Sequence, residues 1–186
     1  MPWNEATTSF PDDMKLLFVG RLDWYPNVEG LNWFLDKVWP VISHKRPELT
    51  LDIVGGFGSE TLIEKIKVQK NIRYHGRVPD VSAFYQQCTI TIIPIWTGSG
   101  TRVKAIEAAK FARSFITTTK GIEGVELTAG RDYLLADDEQ SWIESLLNLA
   151  SHNAKQLGQS AQENAGIKYD QEFLRKRFLE LLERLT

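Results

Sequence analysis

Apolar residues along this chain fall into two alternating kinds of run. One kind is short and continuous: residues 15–20 (KLLFVG), 49–54 (LTLDIV), 71–75 (NIRYH), 89–94 (TITIIP) and 114–118 (SFITT), with a shorter stretch at 133–136 (YLLA). Runs of this length, rich in β-branched residues and closed by glycine or proline, predict buried strands. The other kind is spaced. Leu31, Phe34, Leu35, Val38 and Ile42 fall on one helical face behind Asn27, which can cap that helix. Pro40 should kink or interrupt it. Further helices are predicted over 59–69, over 79–87 with Pro79 in its first turn, over 101–112, and from Glu139 onward. Leu174, Phe178, Leu181, Leu182 and Leu185 give the last of these an apolar stripe. Strands alternating with helices, and apolar along their whole length, predict a parallel sheet buried on both faces. The expected fold class is therefore α/β, one open doubly wound sheet of about six strands with helices on both faces and a C-terminal helical segment. Residues 1–14 are polar, contain Pro2 and Pro11, and read as a linker or tail ahead of a domain at 15–186.

Composition narrows the function classes. A length of 186 residues with 42% hydrophobic and 25% charged residues suits one soluble domain. The net charge of −2 gives no overall basic field for nucleic acid, so any phosphate site must be local. No apolar run approaches the length of an integral membrane segment, and the first residues lack a signal peptide's basic and apolar regions. Cys88 is the sole cysteine, and His44, His75 and His152 show no ligand spacing. A cytoplasmic, metal-free protein is expected.

In open α/β sheets, ligands sit beyond the carboxyl ends of the strands, so the loops there carry the chemistry. After the fourth strand, Gly98, Ser99 and Gly100 lead into Thr101, Arg102, Val103 and Lys104 at a helix start. The glycines let a ligand approach the main chain, and first-turn amides with the helix dipole favour an anion. Helix-dipole logic alone prefers carboxylates there, so Arg102 and Lys104 make sense if a phosphate supplies the negative charge. A turn with solvated cations explains the same residues equally well. Glu107 stands in an apolar stretch, either as an ion-pair partner of Lys104 or Lys110 or as an acceptor for sugar or ribose hydroxyls. Arg21 follows the first strand and offers a second phosphate cation, though a surface arginine is the plainer reading. Val78, in the loop after the third strand, could frame a base through its backbone, and Glu123, after the fifth, could reach a hydroxyl. Each loop is weak by itself; their sharing of one edge is the stronger signal.

Taken in order, residues 17–22 (LFVGRL), 26–34 (PNVEGLNWF), 51–55 (LDIVG), 75–80 (HGRVPD), 94–108 (PIWTGSGTRVKAIEA) and 120–124 (KGIEG) resemble the C-terminal, donor-binding domain of the group 1 retaining glycosyltransferases of GT-B fold. The resemblance implies a Rossmann-like domain that binds a UDP- or GDP-linked sugar as donor substrate without a cofactor or a required metal. It implies that Arg102 and Lys104, the catalytic candidates, neutralise the leaving diphosphate together with Arg21. Gly98, Ser99, Gly100 and Thr101 would line the donor, with Gly100 and Thr101 offering amides. Glu107 matches the second glutamate of the family's E-x7-E signature, which contacts the ribose, while Ser99 stands where the first belongs. Asn27 occupies the place of a lysine that many members carry. The family's preceding acceptor-binding domain has no counterpart here, so an N-terminal acceptor domain or subunit is the implied partner, and the last helix is expected to pack on it.

Two other readings stand beside this one. Gly56-Phe57-Gly58 follows a strand and precedes a helix, as a nicotinamide-dinucleotide fingerprint does, but Thr61 occupies a position where glycine or alanine belongs and the strand is the second. The alternative to an enzyme half is a stand-alone, non-catalytic module that binds a sugar nucleotide or docks on a separate subunit.

Overall fold

The computed structural model describes residues 10–11, 13–100, 102–170, 174, 175 and 179. The continuous apolar runs form six parallel strands: β1 (Lys15–Val19), β2 (Thr50–Val54), β3 (Ile72–Gly76), β4 (Ile90–Ile93), β5 (Ser114–Thr117) and β6 (Leu134–Leu135). They lie in the order β3-β2-β1-β4-β5-β6. That order is the doubly wound arrangement of dinucleotide-type folds, in which the chain winds outward from β1 one way and from β4 the other.

Successive side chains on a strand point to opposite faces, and both faces here are covered. Leu16, Phe18, Leu51, Ile53, Ile90, Ile92 and Ile116 pack into one apolar cluster, whereas Leu17, Val54, Ile93 and Phe115 belong to a second. The first cluster is closed by α1 (Tyr25–Trp33), a π-helical turn (Phe34–Val38), α2 (Trp39–Lys45), α3 (Glu60–Lys67) and α6 (Glu139–Asn148). The second is closed by α4 (Ser82–Gln87) and α5 (Val103–Lys110). The long α7 (Ser151–Tyr169) contributes to both. Leu174 is helical and exposed, and Phe178, Leu181, Leu182 and Leu185 of the expected apolar stripe lie outside the described residues.

Local starts differ from the sequence expectation at Asn27 and at Pro79, whereas Pro40 interrupts its helix as expected. Helix α1 begins at Tyr25 with proline in its first turn and Trp24 at its N-cap, so Asn27 is a buried interior residue and not a cap. Pro40 interrupts the helical ladder without ending it. A π-helical turn precedes it, with the Trp39 N–H reaching back to Phe34 O, so the amide that proline lacks falls where the ladder has already shifted. Pro79 lies ahead of α4, which starts at Ser82 after Asp80 accepts a hydrogen bond from the Ser82 N–H at 2.9 Å. Ser59 caps α3 by accepting from the Leu62 N–H at 3.3 Å, and Asp138 and Ser141 form a reciprocal capping box on α6.

Two contacts hold the frame that positions the strand ends. Gly30 brings α1 against the end of β4 so closely that a Cβ there would sit 1.6 Å from the Pro94 carbonyl oxygen. Gly30→Ala should therefore lower stability by about 3 kcal/mol or more, reversing the ~1 kcal/mol that alanine ordinarily gains over glycine within a helix; chemical denaturation checks it. Asp132, fully buried, ties the loop before β6 to α7. It accepts from Thr128 N (2.8 Å), Arg131 (3.0 Å), Ser160 Oγ (2.7 Å) and Asn164 Nδ2 (2.8 Å). Burial alone would raise its pKa, but the bonds from Arg131, Ser160, Thr128 and Asn164 prevail and bring it down to about 2. A carboxyl depressed in the folded state stabilises above its unfolded value near 3.8, and that stabilisation is lost as pH falls toward 2. Asp132→Asn should remove about 2 kcal/mol at pH 7 and flatten the acid limb of the stability curve between pH ~4 and ~2.

Candidate functional site

The strand order reverses between β1 and β4, and the crevice beyond their carboxyl ends is where such sheets bind ligands. The loop after β1 (residues 20–24) and the loop after β4 (residues 94–100) flank it. Trp96 anchors the second of these loops edge-to-face on Trp33, with centroids 4.4 Å apart. Thr97 Oγ1 donates to Glu29 on α1 at 2.8 Å. The rest of that loop is free to be shaped by glycine: Gly98 and Gly100 take φ of 89° and 105°, and Gly98, Ser99 and Gly100 are all exposed. Thr101 lies outside the described residues.

The chain then enters α5, whose first turn holds no acidic residue and whose N-cap, Arg102, makes no side-chain cap. Arg102 is only 7% exposed. Its guanidinium donates to Gly98 O at 3.2 Å and to Glu123 at 3.3 Å, while its Nε is buried without a hydrogen-bond partner among the described residues. Lys104 reaches across to α1, where its ammonium donates to Asn27 Oδ1, and Asn27 Nδ2 in turn donates to Arg21 O at 2.8 Å. The ammonium also lies 5.3 Å from the centre of the Phe18 ring. Gly20 makes room for this: a Cβ there would stand 2.7 Å from Asn27 Nδ2 and 2.9 Å from Lys104 Nζ. Burial pushes the Lys104 pKa down to about 8; Glu107 pulls it up and Arg102 pushes it further down. Trp24, Ile93, Ile95, Arg102, Lys104 and Gly121 line a cavity of about 120 Å³ at this point.

A second, larger hollow of about 380 Å³ lies on the other side of Gly20, between the ends of β1, β2 and β3. Val78 lines it as expected, together with Arg21, Phe57 and Arg77. Arg21 is exposed and gripped by Asp23 through two bonds of 3.0 and 2.6 Å, so its guanidinium is held at the rim. That pair raises the Arg21 pKa and lowers that of Asp23.

Glu107 is half-buried and takes neither lysine partner that its spacing suggested. It accepts from Tyr85 Oη of α4 at 3.0 Å, and burial raises its pKa despite that bond and the nearby lysines. Glu123 is exposed and bonded to Lys120 at 2.6 Å as well as to Arg102. The structure thus gathers Arg102 and Lys104 around one cavity, with Glu123 bonded to Arg102, and Arg21 with Val78 around another, while Glu107 lies one helical turn along α5. Sequence reasoning missed the bridging role of Asn27, the ring of Phe57, the cation of Arg77 and the Tyr85 partner of Glu107. Gly-Phe-Gly at 56–58 was the one available signal among these, since an aromatic between two glycines after a strand is an exposed position. Among the described residues no group of three or more His, Cys, Asp or Glu side chains could hold a metal ion, and no helix is long and apolar enough to cross a membrane.

Fold and site together define a class: a doubly wound α/β domain with a cation-lined crevice at its switch point. The family model of the group 1 glycosyl transferases matches residues 13–152, and the chain belongs to that family. An uncharacterised 44.6 kDa protein of the cps region of Klebsiella pneumoniae is 27% identical over 147 residues, covering 74% of this chain and 37% of that protein. The C-terminal domain of a group 1 glycosyltransferase (LpcC) from Francisella tularensis superposes with a TM-score of 0.72 at 18% identity, covering 91% of both chains. Anabaena Alr3699/HepE, solved with UDP and glucose, superposes with a TM-score of 0.76 at 13% identity over 98% of this chain and 55% of that one. The fold is that of a GT-B C-terminal domain. This chain spans about a third to a half of the length of the Klebsiella and Anabaena proteins.

A buried ammonium that is partly deprotonated near pH 8 costs folding free energy. Because its folded pKa lies below the unfolded value of 10.5, stability should rise as pH climbs from about 8 to about 10.5. Lys104→Met should abolish that slope and raise stability at pH 7 by up to about 3 kcal/mol, measurable by denaturant titration across pH.

Proposed function

We propose that this chain is the donor-binding half of a retaining glycosyltransferase and binds a UDP- or GDP-linked sugar at the switch point. The observation that carries the reading is the pair Arg102 and Lys104: two buried or half-buried cations at a helix start with no acidic residue in its first turn. Such an arrangement costs stability by itself and is offset by a ligand that brings negative charge. A diphosphate fits, because Arg102 offers directional N–H donors, Lys104 a compact charge, and the start of α5 its amides. Membership of the glycosyltransferase family supplies the rest of the ligand, and the UDP held by the Anabaena neighbour is consistent with it.

In the proposed reaction the bond from the anomeric carbon to the diphosphate oxygen breaks, and the sugar passes to an acceptor hydroxyl with retained configuration. Negative charge grows on the departing oxygen. Arg102, held by Gly98 O, and Lys104, held by Asn27, meet that charge from fixed positions, which is the main catalytic contribution this half can make. Arg21 adds a third cation once it exchanges Asp23 for phosphate. The free face of Glu107 accepts from ribose, and Glu123 leaves Arg102 as the diphosphate arrives. Ser99 gives no carboxylate to the donor sugar, so sugar recognition falls to the loop backbone around Gly98 and Gly100. The acceptor site belongs to a preceding domain or subunit, a proposal supported by the greater length of the relatives.

Calorimetric titration with UDP, GDP and NAD tests the reading. UDP or GDP should bind, and Arg102→Ala should weaken that binding about 10- to 100-fold, the range for a hydrogen bond between charged groups. Binding an anion raises the Lys104 pKa from about 8, so at pH 8 the complex should take up to about half a proton, falling toward zero at pH 6. Comparing buffers of different ionisation enthalpy reads this uptake. Binding of NAD alone would return the dinucleotide reading.

A further inference from the structure

We propose that Phe57 is the platform on which the nucleobase of the donor stacks, and that the wall around it selects a base presenting carbonyl oxygens, of which uracil is the best match. The inference rests on the donor-site reading and adds to it a specificity-determining residue. Three observations carry it. Phe57 is 59% exposed, so it contributes little to the core. It also holds a left-handed backbone, φ 67°, a conformation that a residue with a large side chain rarely adopts. A large apolar ring kept in water on a strained backbone is explained neither by packing nor by turn chemistry, which glycine would serve better. Finally, the ring lines the 380 Å³ hollow and carries guanidiniums near it, Arg21 at 5.2 Å and Arg77 at 5.7 Å from its centre. Stacking on an electron-rich ring face is what a planar base can share with those cations.

The selection follows from the donors and acceptors of the wall. Its charged side chains are Arg21 and Arg77, both donors, and no carboxylate or amide side chain lines the hollow. Several nearby backbone carbonyls are already engaged. Arg21 O accepts from Asn27, Val54 O from Gly20 N, Gly55 O from Tyr74 Oη and Gly56 O from Leu22 N. Cytosine, adenine and guanine each present an exocyclic amino group, for which this wall offers no carboxylate or amide side chain as acceptor among the described residues. Uracil presents two carbonyls and one N–H. Arg21 is tied to Asp23, whereas Arg77 has no hydrogen bond or ion pair among the described residues, so Arg77 is the cation that leaves the ring and turns its donors to the base.

The test measures binding of UDP, CDP, GDP and inorganic pyrophosphate to the full chain and to Phe57→Gly, Phe57→Leu and Phe57→Trp, with a thermal melt of each. The wild type should prefer UDP over CDP and GDP by about 10-fold or more. Phe57→Gly and Phe57→Leu should weaken UDP by about 10-fold or more and leave pyrophosphate within about twofold, and Phe57→Trp should restore UDP. Phe57→Gly should melt at the same temperature or higher, since glycine relieves the strained φ; a purely structural role for the ring predicts the reverse. If pyrophosphate binds and UDP affinity is unchanged in the glycine and leucine variants, or if CDP or GDP binds as tightly as UDP, the proposal is overturned while the donor site stands. If neither UDP nor pyrophosphate binds, the donor-site reading fails, and this proposal fails with it.

Discussion

The contact on which the site depends runs from Lys104 through Asn27 to the backbone of Arg21. It joins the first turn of α5 to the first turn of α1, across the line where the sheet reverses its winding. An ammonium this deeply placed needs a partner, and Asn27 supplies one without a charge of its own, which leaves the cation unneutralised. The same asparagine fixes the loop after β1 through its other side-chain atom. Gly20 leaves room for this pair, since a Cβ there would push the tips of Asn27 and Lys104 aside. One hydrogen-bonded bridge therefore sets the position of the cation, the width of the crevice and the path of the loop that separates its two hollows.

Three costly features of the molecule stand on this edge. The lysine is desolvated, a buried guanidinium nitrogen has no partner among the described residues, and a phenylalanine holds a left-handed backbone in water. On the two faces of the sheet the apolar clusters are closed, the helix starts are capped at Ser59 and Asp138, and the buried carboxylate of Asp132 is met by four partners. A stable frame that carries such unmet contacts at the carboxyl ends of the strands suits a binding domain, since a ligand can offset there what the fold alone leaves unmet.

Kinship with the group 1 glycosyltransferases and the geometry of the crevice bear on different questions. The family match covers residues 13–152, which contain every strand and both hollows, and α7 continues beyond it to close the second face. The identity with solved neighbours, 13% and 18%, is low enough that their likeness speaks for fold. The donors and acceptors around Phe57, Arg77 and Val78 are read from the geometry of this chain, and they are where the proposed choice of nucleotide would be made.

By itself the sequence determined the architecture. Six apolar runs of strand length, each followed by a helical or turn segment, admit few arrangements other than a parallel sheet covered on both faces, because every strand must be buried twice. It also placed Arg102, Lys104 and Val78 on one edge of the sheet, since residues directly after parallel strands share one side of it. Only the tertiary structure decided who touches whom. Asn27 and Lys104 are 77 positions apart, and Tyr85 and Glu107 are 22 apart, so no local spacing reveals either pair. Spacing instead suggested a cap for Asn27 and a lysine partner for Glu107, both of which packing overrode. Burial was likewise out of reach: whether Arg102 and Lys104 are solvated or desolvated depends on how closely α1 approaches β4, and that distance is set by the missing side chain of Gly30 against a carbonyl oxygen.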